Sequence, residues 1–238
     1  MPNSNLLHDA GPFARKHPRL YLVVYVGGGL VLVALMVWAF AALADEIPEQ
    51  GWMERLDHGI TGFLQSRGTE GGESFFLAVS LFGAPLLAAL EAVVTLVLAR
   101  RRDWLRAGAV AFSCVGGAAL NVTLKQIFHR GRPEYAAEFI AHQSWSFPSG
   151  HAMDSLVGYG IMLFLVLEHT HDATRRRLLI GSTAIVVALI AWSRVYLGVH
   201  YLSDVIAGWL AGGAWLVISV GAYRFVRRHQ LERSTERP

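Results

Sequence analysis

The sequence contains little charge and almost no cysteine. Only 16% of its 238 residues are charged, which is too few to cover a soluble domain of this size, because such domains carry about 25% charged residues. The same composition, with 53% hydrophobic residues, excludes disordered, collagen-like and coiled-coil chains. The single cysteine, Cys114, excludes a disulfide scaffold. The net charge of +3 is too small to indicate a nucleic-acid partner.

Long apolar runs take the place of the missing charge. A helix that crosses a bilayer needs about 20 mostly apolar residues, and six runs approach or exceed that length. They cover residues 20–44, 74–99, 107–124, 155–167, 178–193 and 205–223. The fourth and fifth reach spanning length only when polar residues at one end are included. We therefore predict an all-α bundle of six transmembrane helices over residues 20–225, flanked by tails at 1–19 and 226–238.

The basic residues predict the orientation of this bundle, because they favour the cytoplasmic side of a membrane. If the six spans alternate, most of the 21 lysines and arginines fall on the side of the two termini. Both tails are then cytoplasmic, and the chain is a multi-pass protein of the cytoplasmic (inner) membrane. A cleaved signal peptide is disfavoured, because the first apolar run is longer than the 7–15 residues of a signal sequence.

The acidic connection at about 45–73 carries an apolar stripe. Met53, Leu56, Ile60 and Phe63 recur in it at helical spacing. This pattern predicts an amphipathic helix, which either lies on the outer membrane surface or packs on the bundle as a loop helix.

Glycines recur within the predicted spans, and we interpret them as helix-packing positions. Gly208 and Gly212 have the small-xxx-small spacing that lets two helices approach closely. The same interpretation applies to the glycines at 27–29 and 116–117.

Charged side chains at membrane depth are costly and usually functional, and here they collect at the ends of the spans. The predicted orientation places six of the titratable side chains at the outer face of the membrane. The set consists of Lys125, Arg132, His151, Arg194, His200 and Asp204. It combines fixed cations, two histidines and a carboxylate, and it therefore predicts an anion site with acid–base capacity.

Phosphate is an anion that suits this set. Arginine offers planar forked donors and lysine a compact charge, and Ser149-Gly150 adds backbone N–H groups at the start of a helix. His200 and Asp204 are four residues apart, so they share a helix face or touch across a turn. A carboxylate on one ring nitrogen makes the other more basic. His200 is then a candidate nucleophile, and His151 a candidate general acid.

The order and spacing of these residues support a family resemblance. The pattern is Lys125, six residues, Arg132-Pro133, then Pro148-Ser149-Gly150-His151, then Ser193-Arg194, five residues, His200, three residues and Asp204. It resembles the tripartite signature of the type 2 phosphatidic acid phosphatase superfamily, which includes bacterial membrane lipid phosphatases.

The resemblance implies a role for each matching residue. His200 attacks phosphorus to form a phosphohistidine, Asp204 orients His200, and His151 protonates the leaving group. The phosphate oxygens are held by Lys125, Arg132, Ser149, Gly150 and Arg194. The resemblance implies no metal and no cofactor. Zinc binding by the two histidines is also disfavoured because the three cations would repel the metal.

We therefore expect a membrane lipid phosphatase whose partners are membrane lipids and not nucleic acid. By resemblance, its candidate substrates are undecaprenyl diphosphate, phosphatidylglycerol phosphate and phosphatidic acid. Two alternatives remain open: a transferase that passes the phosphoryl group to another acceptor, and an anion transporter. A transporter needs polar residues along a path through the membrane, whereas apart from Glu91 they cluster at one end.

Three other polar residues have plainer interpretations. We interpret Arg130 as an interfacial anchor. Asp154, three residues after His151, either tunes that histidine or caps the helix. Asn121 lies one turn before Lys125, and we expect it to form an interhelical hydrogen bond.

Overall fold

The computed structural model describes residues 18–47, 51–135 and 144–235 of the chain. Most of the predicted N-terminal tail and the last three residues therefore lie outside the described residues. Within these ranges the regular structure is helical and includes no strand. The helices are α1 (Pro18–Asp45), α2 (Trp52–Gln65), α3 (Glu70–Leu81), α4 (Pro85–Arg100), α5 (Trp104–Phe128), α6 (Gly150–Leu167), α7 (Ala173–Tyr196) and α8 (Leu202–Thr235).

Six helical stretches in the described part of the chain are long and apolar enough to cross a membrane, which confirms the six predicted runs. They are Val26–Asp45, Glu70–Arg100, Trp104–Phe128, Gly150–Leu167, Ala173–Tyr196 and Leu202–Gln230. The two shortest runs gain their spanning length from polar residues at their ends, as expected. The fourth begins with Gly150 and His151, and the fifth includes Arg194 in its last turn.

The second stretch consists of two helices. α3 ends at Leu81 and α4 begins at Pro85. A proline has no N–H to donate, and it disfavours helical geometry in the residue before it. Ala84 accordingly has φ −141° and ψ −85°. The single helix predicted over residues 74–99 is therefore interrupted, because its apolar composition continues across a break in the backbone.

α8 is the central helix of the bundle, and it contacts α1, α2, α5, α6 and α7. It approaches the start of α6 closely. A Cβ atom on Gly208 would lie 2.7 Å from the carbonyl oxygen of Ser149, and one on Gly212 would lie 3.1 Å from that of Met153. Glycine is required for this approach of two backbones, so the packing interpretation of this pair is confirmed.

The other glycines that we interpret as packing positions differ among themselves. Gly116 and Gly117 lie against the indole of Trp215. A Cβ atom on Gly27 or Gly28 would meet no atom of the described residues within 4 Å. The packing interpretation of Gly27 and Gly28 therefore stays a prediction, which the described residues do not support with a contact.

The two ends of the bundle carry different polar groups. Where α6 stops, Glu168 accepts a hydrogen bond from Tyr223 at 2.8 Å, pairs with Arg227 and lies 4.0 Å from Arg106. Where α6 begins, the bundle collects the residues of the predicted anion site. The side of the membrane on which each end lies stays a prediction from the basic residues.

α2 packs on the anion-site end of the bundle. Ile60 and Leu64 contact a buried cluster that includes Val195, whereas Trp52 and Phe63 are exposed by more than half. The predicted amphipathic helix is thus confirmed, and it packs on the bundle. Its contact with a membrane surface stays a prediction, which the exposed aromatic rings fit.

Candidate active site

His200 and Asp204 are in contact at the start of α8. His200 Nδ1 lies 3.4 Å from Asp204 Oδ2. His200 precedes the helix, and Asp204 lies in its first turn, where Oδ2 also accepts the N–H of Tyr201 at 2.9 Å. Of the two geometries that the spacing allows, the chain therefore adopts the turn. His200 is 2% exposed and Asp204 is fully buried.

A tight turn after α7 carries His200 into this position. Gly198 has φ +62°, a conformation that glycine adopts without strain. The N–H groups of Val199 and His200 then both donate to the carbonyl oxygen of Arg194, at 3.1 and 3.2 Å. The end of α7 therefore fixes the backbone of His200.

The second ring nitrogen of His200 faces a cation. Arg132 Nη1 lies 3.3 Å from His200 Nε2. Because arginine can only donate, Nε2 carries the lone pair and Nδ1 carries the proton that faces Asp204. Burial lowers the pKa of His200 from 6.5 to about 3; Asp204 opposes this shift, and the charges of Arg132 and Arg194 add to it. At neutral pH the imidazole is uncharged, and Nε2 can act as a nucleophile.

The three predicted phosphate-binding cations surround the two histidines. Arg194 and Arg132 interact electrostatically with both His151 and His200, and Lys125 interacts with His151. These cations come from α5, from the loop after it and from α7. The three cations thus converge on the two histidines, as their positions in the sequence predict, and anion binding by them stays a prediction.

Lys125 and Arg132 are held by the loop that precedes α6. Lys125 Nζ donates to the carbonyl oxygen of Trp145 at 2.6 Å. Arg132 donates from Nε and Nη2 to the carbonyl and hydroxyl oxygens of Ser144, both at 2.8 Å, and from Nη1 to the carbonyl oxygen of Val199 at 2.7 Å. Backbone carbonyls thus hold both cations in position, and a phosphate must share or replace these acceptors.

Two buried polar atoms at the site have no hydrogen-bond partner among the described residues. They are Ser149 Oγ and Arg194 Nε. Arg194 is otherwise anchored through Nη1 to the hydroxyl of Ser80 on α3. Leaving a buried donor unpaired costs about 1–3 kcal/mol. The oxygens of a phosphate are acceptors that would satisfy both donors.

The start of α6 brings Ser149, Gly150 and His151 to the same place. The N–H of Ser149 donates to the backbone carbonyl of Asp204 at 2.9 Å. His151 lies close enough to His200 for direct electrostatic interaction. All eight predicted site residues therefore lie at one end of the bundle.

Three further polar residues lie behind this site. Asn121 Nδ2 donates to the sulfur of Met153 on α6 at 3.7 Å, which confirms the expected interhelical hydrogen bond, and it also donates to the carbonyl oxygen of Pro148 in the loop before α6 at 3.4 Å. Asp154 and Glu91 line one cavity of about 130 Å³ between α4, α5 and α6. The N-cap residue of α6 is Ser149, five residues before Asp154.

Arg130 is a buried bridge between two carboxylates. Its Nη1 lies 2.5 Å from Asp204 Oδ1, its Nη2 lies 2.9 Å from Asp57 Oδ2, and its side chain is 9% exposed. Burial acts to lower the pKa of Arg130, but the charges of Asp204 and Asp57 outweigh burial and raise it. The interpretation of Arg130 as an interfacial anchor is wrong, because the two carboxylates draw its side chain inward.

Three buried residues of the site are absent from the sequence prediction: Asp57, Ser80 and Ser146. Ser146 donates its hydroxyl hydrogen to Asp204 Oδ2. Single serines follow no pattern that marks them as functional. Asp57 does carry a signal, because it lies three residues before Ile60 and thus on the packing face of the amphipathic helix α2.

Proteins of known name resemble parts of this chain. Phosphatidylglycerophosphatase B of Bacillus subtilis (strain 168) is 36% identical over 94 residues, which are 39% of this chain and 46% of that protein. Decaprenylphosphoryl-5-phosphoribose phosphatase of Mycobacterium tuberculosis is 35% identical over 131 residues, or 52% of this chain and 65% of the relative. An undecaprenyl-diphosphatase of Sulfolobus acidocaldarius is 39% identical over 72 residues, or 30% of each chain. The matches thus cover less than two thirds of these relatives.

A solved structure shares the fold over most of its length. It is the crystal structure of a transmembrane PAP2 type phosphatidylglycerolphosphate phosphatase from Bacillus subtilis, which matches with a TM-score of 0.74 and 22% identity. The match covers 82% of this chain and 96% of that one. Together with the six apolar stretches, this fold identifies a multi-pass membrane protein. A sequence model of the PAP2 superfamily matches residues 106–228, which are just over half of the chain and contain all three motif blocks, and the chain belongs to that superfamily.

Proposed function

We propose that this protein is a membrane lipid phosphatase, which hydrolyses a phosphomonoester or diphosphate of a lipid through a phosphohistidine intermediate. The observation that carries the proposal is the pair of contacts on His200, with Asp204 at Nδ1 and Arg132 at Nε2. A neutral imidazole whose lone pair faces a group of cations is suited to attack a phosphorus atom whose oxygens those cations hold. The relatives are phosphatases by name, which supports the reaction class.

The first half-reaction transfers the phosphoryl group to His200. The phosphate oxygens are held by Lys125, Arg132, Ser149, Gly150 and Arg194. His200 Nε2 attacks phosphorus, so that the N–P bond forms as the P–O bond to the leaving group breaks. His151 gives its proton to the leaving oxygen. The bound phosphate brings negative charge beside His151, which favours the imidazolium form that this step requires.

The second half-reaction returns the enzyme to its starting state. His151, now neutral, takes a proton from a water molecule as the water oxygen attacks phosphorus. The N–P bond breaks, and the electron pair returns to His200 Nε2. Asp204 holds the Nδ1 proton of His200 throughout, which keeps the ring in one tautomer. The products are inorganic phosphate and a lipid with one phosphate fewer.

The proposal places this site at the outer face of the cytoplasmic membrane. The basic segments at 100–102, 175–177 and 224–228 belong to the opposite ends of the spans, and such segments favour the cytoplasm. A lipid head group can then reach the site while its chains remain in the bilayer. Candidate substrates are undecaprenyl diphosphate, phosphatidylglycerol phosphate and phosphatidic acid.

Phosphate release from these three lipids in detergent micelles tests the proposal. We expect wild-type protein to act on at least one of them, with and without a chelator, and to be inhibited by vanadate, which mimics five-coordinate phosphorus. His200→Ala should lower kcat by about 10³-fold or more, as loss of a nucleophile does. His171→Ala, in an exposed loop at the other end of the bundle, is the control. Full activity of His200→Ala would disprove the nucleophile assignment, and inhibition by chelator would disprove metal-independent hydrolysis.

A further inference from the structure

We infer that Asp57 is a positioning residue of the active site, which neutralises Arg130 so that Asp204 keeps its negative charge for His200. The inference rests on the proposed function, because it requires His200 to act as the nucleophile. It assigns a catalytic purpose to α2, the helix in the acidic connection that carries none of the motif blocks.

Asp57 is held in place by hydrogen bonds from two other parts of the chain. It is fully buried although it comes from the connection between the first two spans. Its Oδ1 accepts the backbone N–H of Ser203 at 3.0 Å, and its Oδ2 accepts Arg130 Nη2 at 2.9 Å and the hydroxyl of Ser203. Burial of a carboxylate is costly unless the group is paired with a cation and hydrogen-bonded, as Asp57 is here. These hydrogen bonds fix α2 to the first turn of α8.

Arg130 passes this constraint on to Asp204. One guanidinium donates from Nη2 to Asp57 and from Nη1 to Asp204 Oδ1, at 2.9 and 2.5 Å. Its carbon atom also lies 4.3 Å from the centre of the Tyr201 ring. Because the guanidinium is planar and rigid, it holds the two carboxylates at a set separation. The position of Asp204 therefore depends on Asp57.

The charges of this group decide what Asp204 can do. Asp57, Arg130 and Asp204 together carry a net charge of about −1 at neutral pH. Without the charge of Asp57, Arg130 alone would cancel the charge of Asp204. Attack by neutral His200 Nε2 on phosphorus makes the ring cationic, since Nδ1 keeps its proton. A net negative neighbour stabilises that cation, so loss of the Asp57 charge should raise the barrier to N–P bond formation.

Asp57→Asn removes this charge and keeps the shape of the side chain. We expect kcat to fall about 10- to 100-fold, the range typical of losing a partner one layer behind the reacting groups, with KM changed by less than about twofold because Asp57 does not touch phosphate. The double variant Asp57→Asn/Arg130→Gln restores the net negative charge. We expect it to be more active than Asp57→Asn by about fivefold or more. Wild-type kcat in Asp57→Asn, or no gain in the double variant, would overturn the inference.

Matched variants separate charge from folding. Glu54→Gln removes an acidic group one turn earlier on α2, where Glu54 is partly exposed and pairs with His58, and we expect its kcat to equal that of wild type. If Asp57→Asn does not fold, Asp57→Glu and Asp57→Gln provide the comparison, since they differ in charge and hardly in size. Glu should be more active than Gln by about tenfold, and equal activity would overturn the inference.

The same assay distinguishes this inference from the proposed function. A wild-type protein that releases no phosphate from any lipid, or a fully active His200→Ala variant, contradicts the proposed function. A wild-type protein that depends on His200 but not on Asp57 contradicts the inference alone.

Discussion

The N–H of His200 donates to the carbonyl oxygen of Arg194 at 3.2 Å. The proposed nucleophile and a proposed phosphate-binding residue are thus connected through their backbones, across a turn whose geometry depends on Gly198. The relative position of the two residues is therefore fixed at the level of the backbone, from which both side chains reach the site.

Gly198→Ala should disturb this turn. Gly198 has φ +62°, a backbone conformation that costs about 1–2 kcal/mol in a residue other than glycine. In addition, the Cβ atom of an alanine would lie 2.6 Å from Gln65 Nε2. We expect lower thermal stability in detergent and a kcat lowered by about tenfold or more, because a small displacement of a reacting group is costly. Gly181→Ala, where no described atom lies within 4 Å of the added Cβ, is the control. Equal kcat in the two variants would contradict the role of the turn.

Gly208→Ala should separate α8 from the start of α6. The added Cβ would lie 2.7 Å from the backbone oxygen of Ser149, so one helix must shift. Forced overpacking of this kind destabilises a protein by about 1–3 kcal/mol. Gly221→Ala, on the same helix and without a described neighbour within 4 Å, should leave the melting temperature unchanged or raise it. Thermal unfolding of both variants in one detergent measures the difference. Equal melting temperatures of Gly208→Ala and Gly221→Ala would refute the close packing.

The stability of the protein should depend on pH through His200. Its pKa is about 3 in the folded protein and about 6.5 in an unfolded chain. Between these two pH values the unfolded state binds more protons than the folded state. The contribution of His200 to the free energy of unfolding is therefore fully present above pH 6.5 and is lost as the pH falls towards 3. His200→Gln removes this contribution. Melting temperatures between pH 7.5 and 4.5 should therefore fall more steeply for wild type than for His200→Gln, and equal slopes would contradict the buried neutral imidazole.

The predicted orientation can be measured by cysteine labelling. Cys114 is the only cysteine in the sequence, so Cys114→Ala provides a background without thiols. Arg67→Cys lies between α2 and α3, and His171→Cys lies between α6 and α7 at the opposite end of the bundle. A membrane-impermeant maleimide should label Arg67→Cys in intact cells and His171→Cys only after permeabilisation. The reverse result would place the active site on the cytoplasmic side.

The sequence predicts the six spans and the main residues of the site for one physical reason. Apolar runs of about 20 residues are typical of membrane-spanning helices. Charged residues at membrane depth are energetically costly, and those that occur there are usually functional. On these grounds Lys125, Arg194 and Asp204 stand out in the amino-acid sequence itself. Their convergence then follows from the alternation of the spans.

The Asp57–Arg130 pair could not be predicted in the same way. The two residues are 73 positions apart, and no local pattern connects them. An arginine near the end of a span usually anchors that span in the interface. The sequence therefore favoured an anchoring role for Arg130 over a buried ion pair. The break before Pro85 could not be predicted from hydropathy either. The residues on both sides of it are apolar, and hydropathy carries no information about backbone geometry.

α2 lies between the buried site and the surroundings of the bundle. One face of this helix carries Asp57, and another exposes Trp52, Leu56 and Phe63. Detergents and lipids that contact these rings differently should shift the position of α2. Because Asp57 on α2 is hydrogen-bonded to Ser203 in the first turn of α8, such a shift reaches the active site. Turnover should therefore vary with the choice of detergent or nanodisc even where the six spans remain folded. A purified sample that looks intact by its melting curve can still be a poor catalyst.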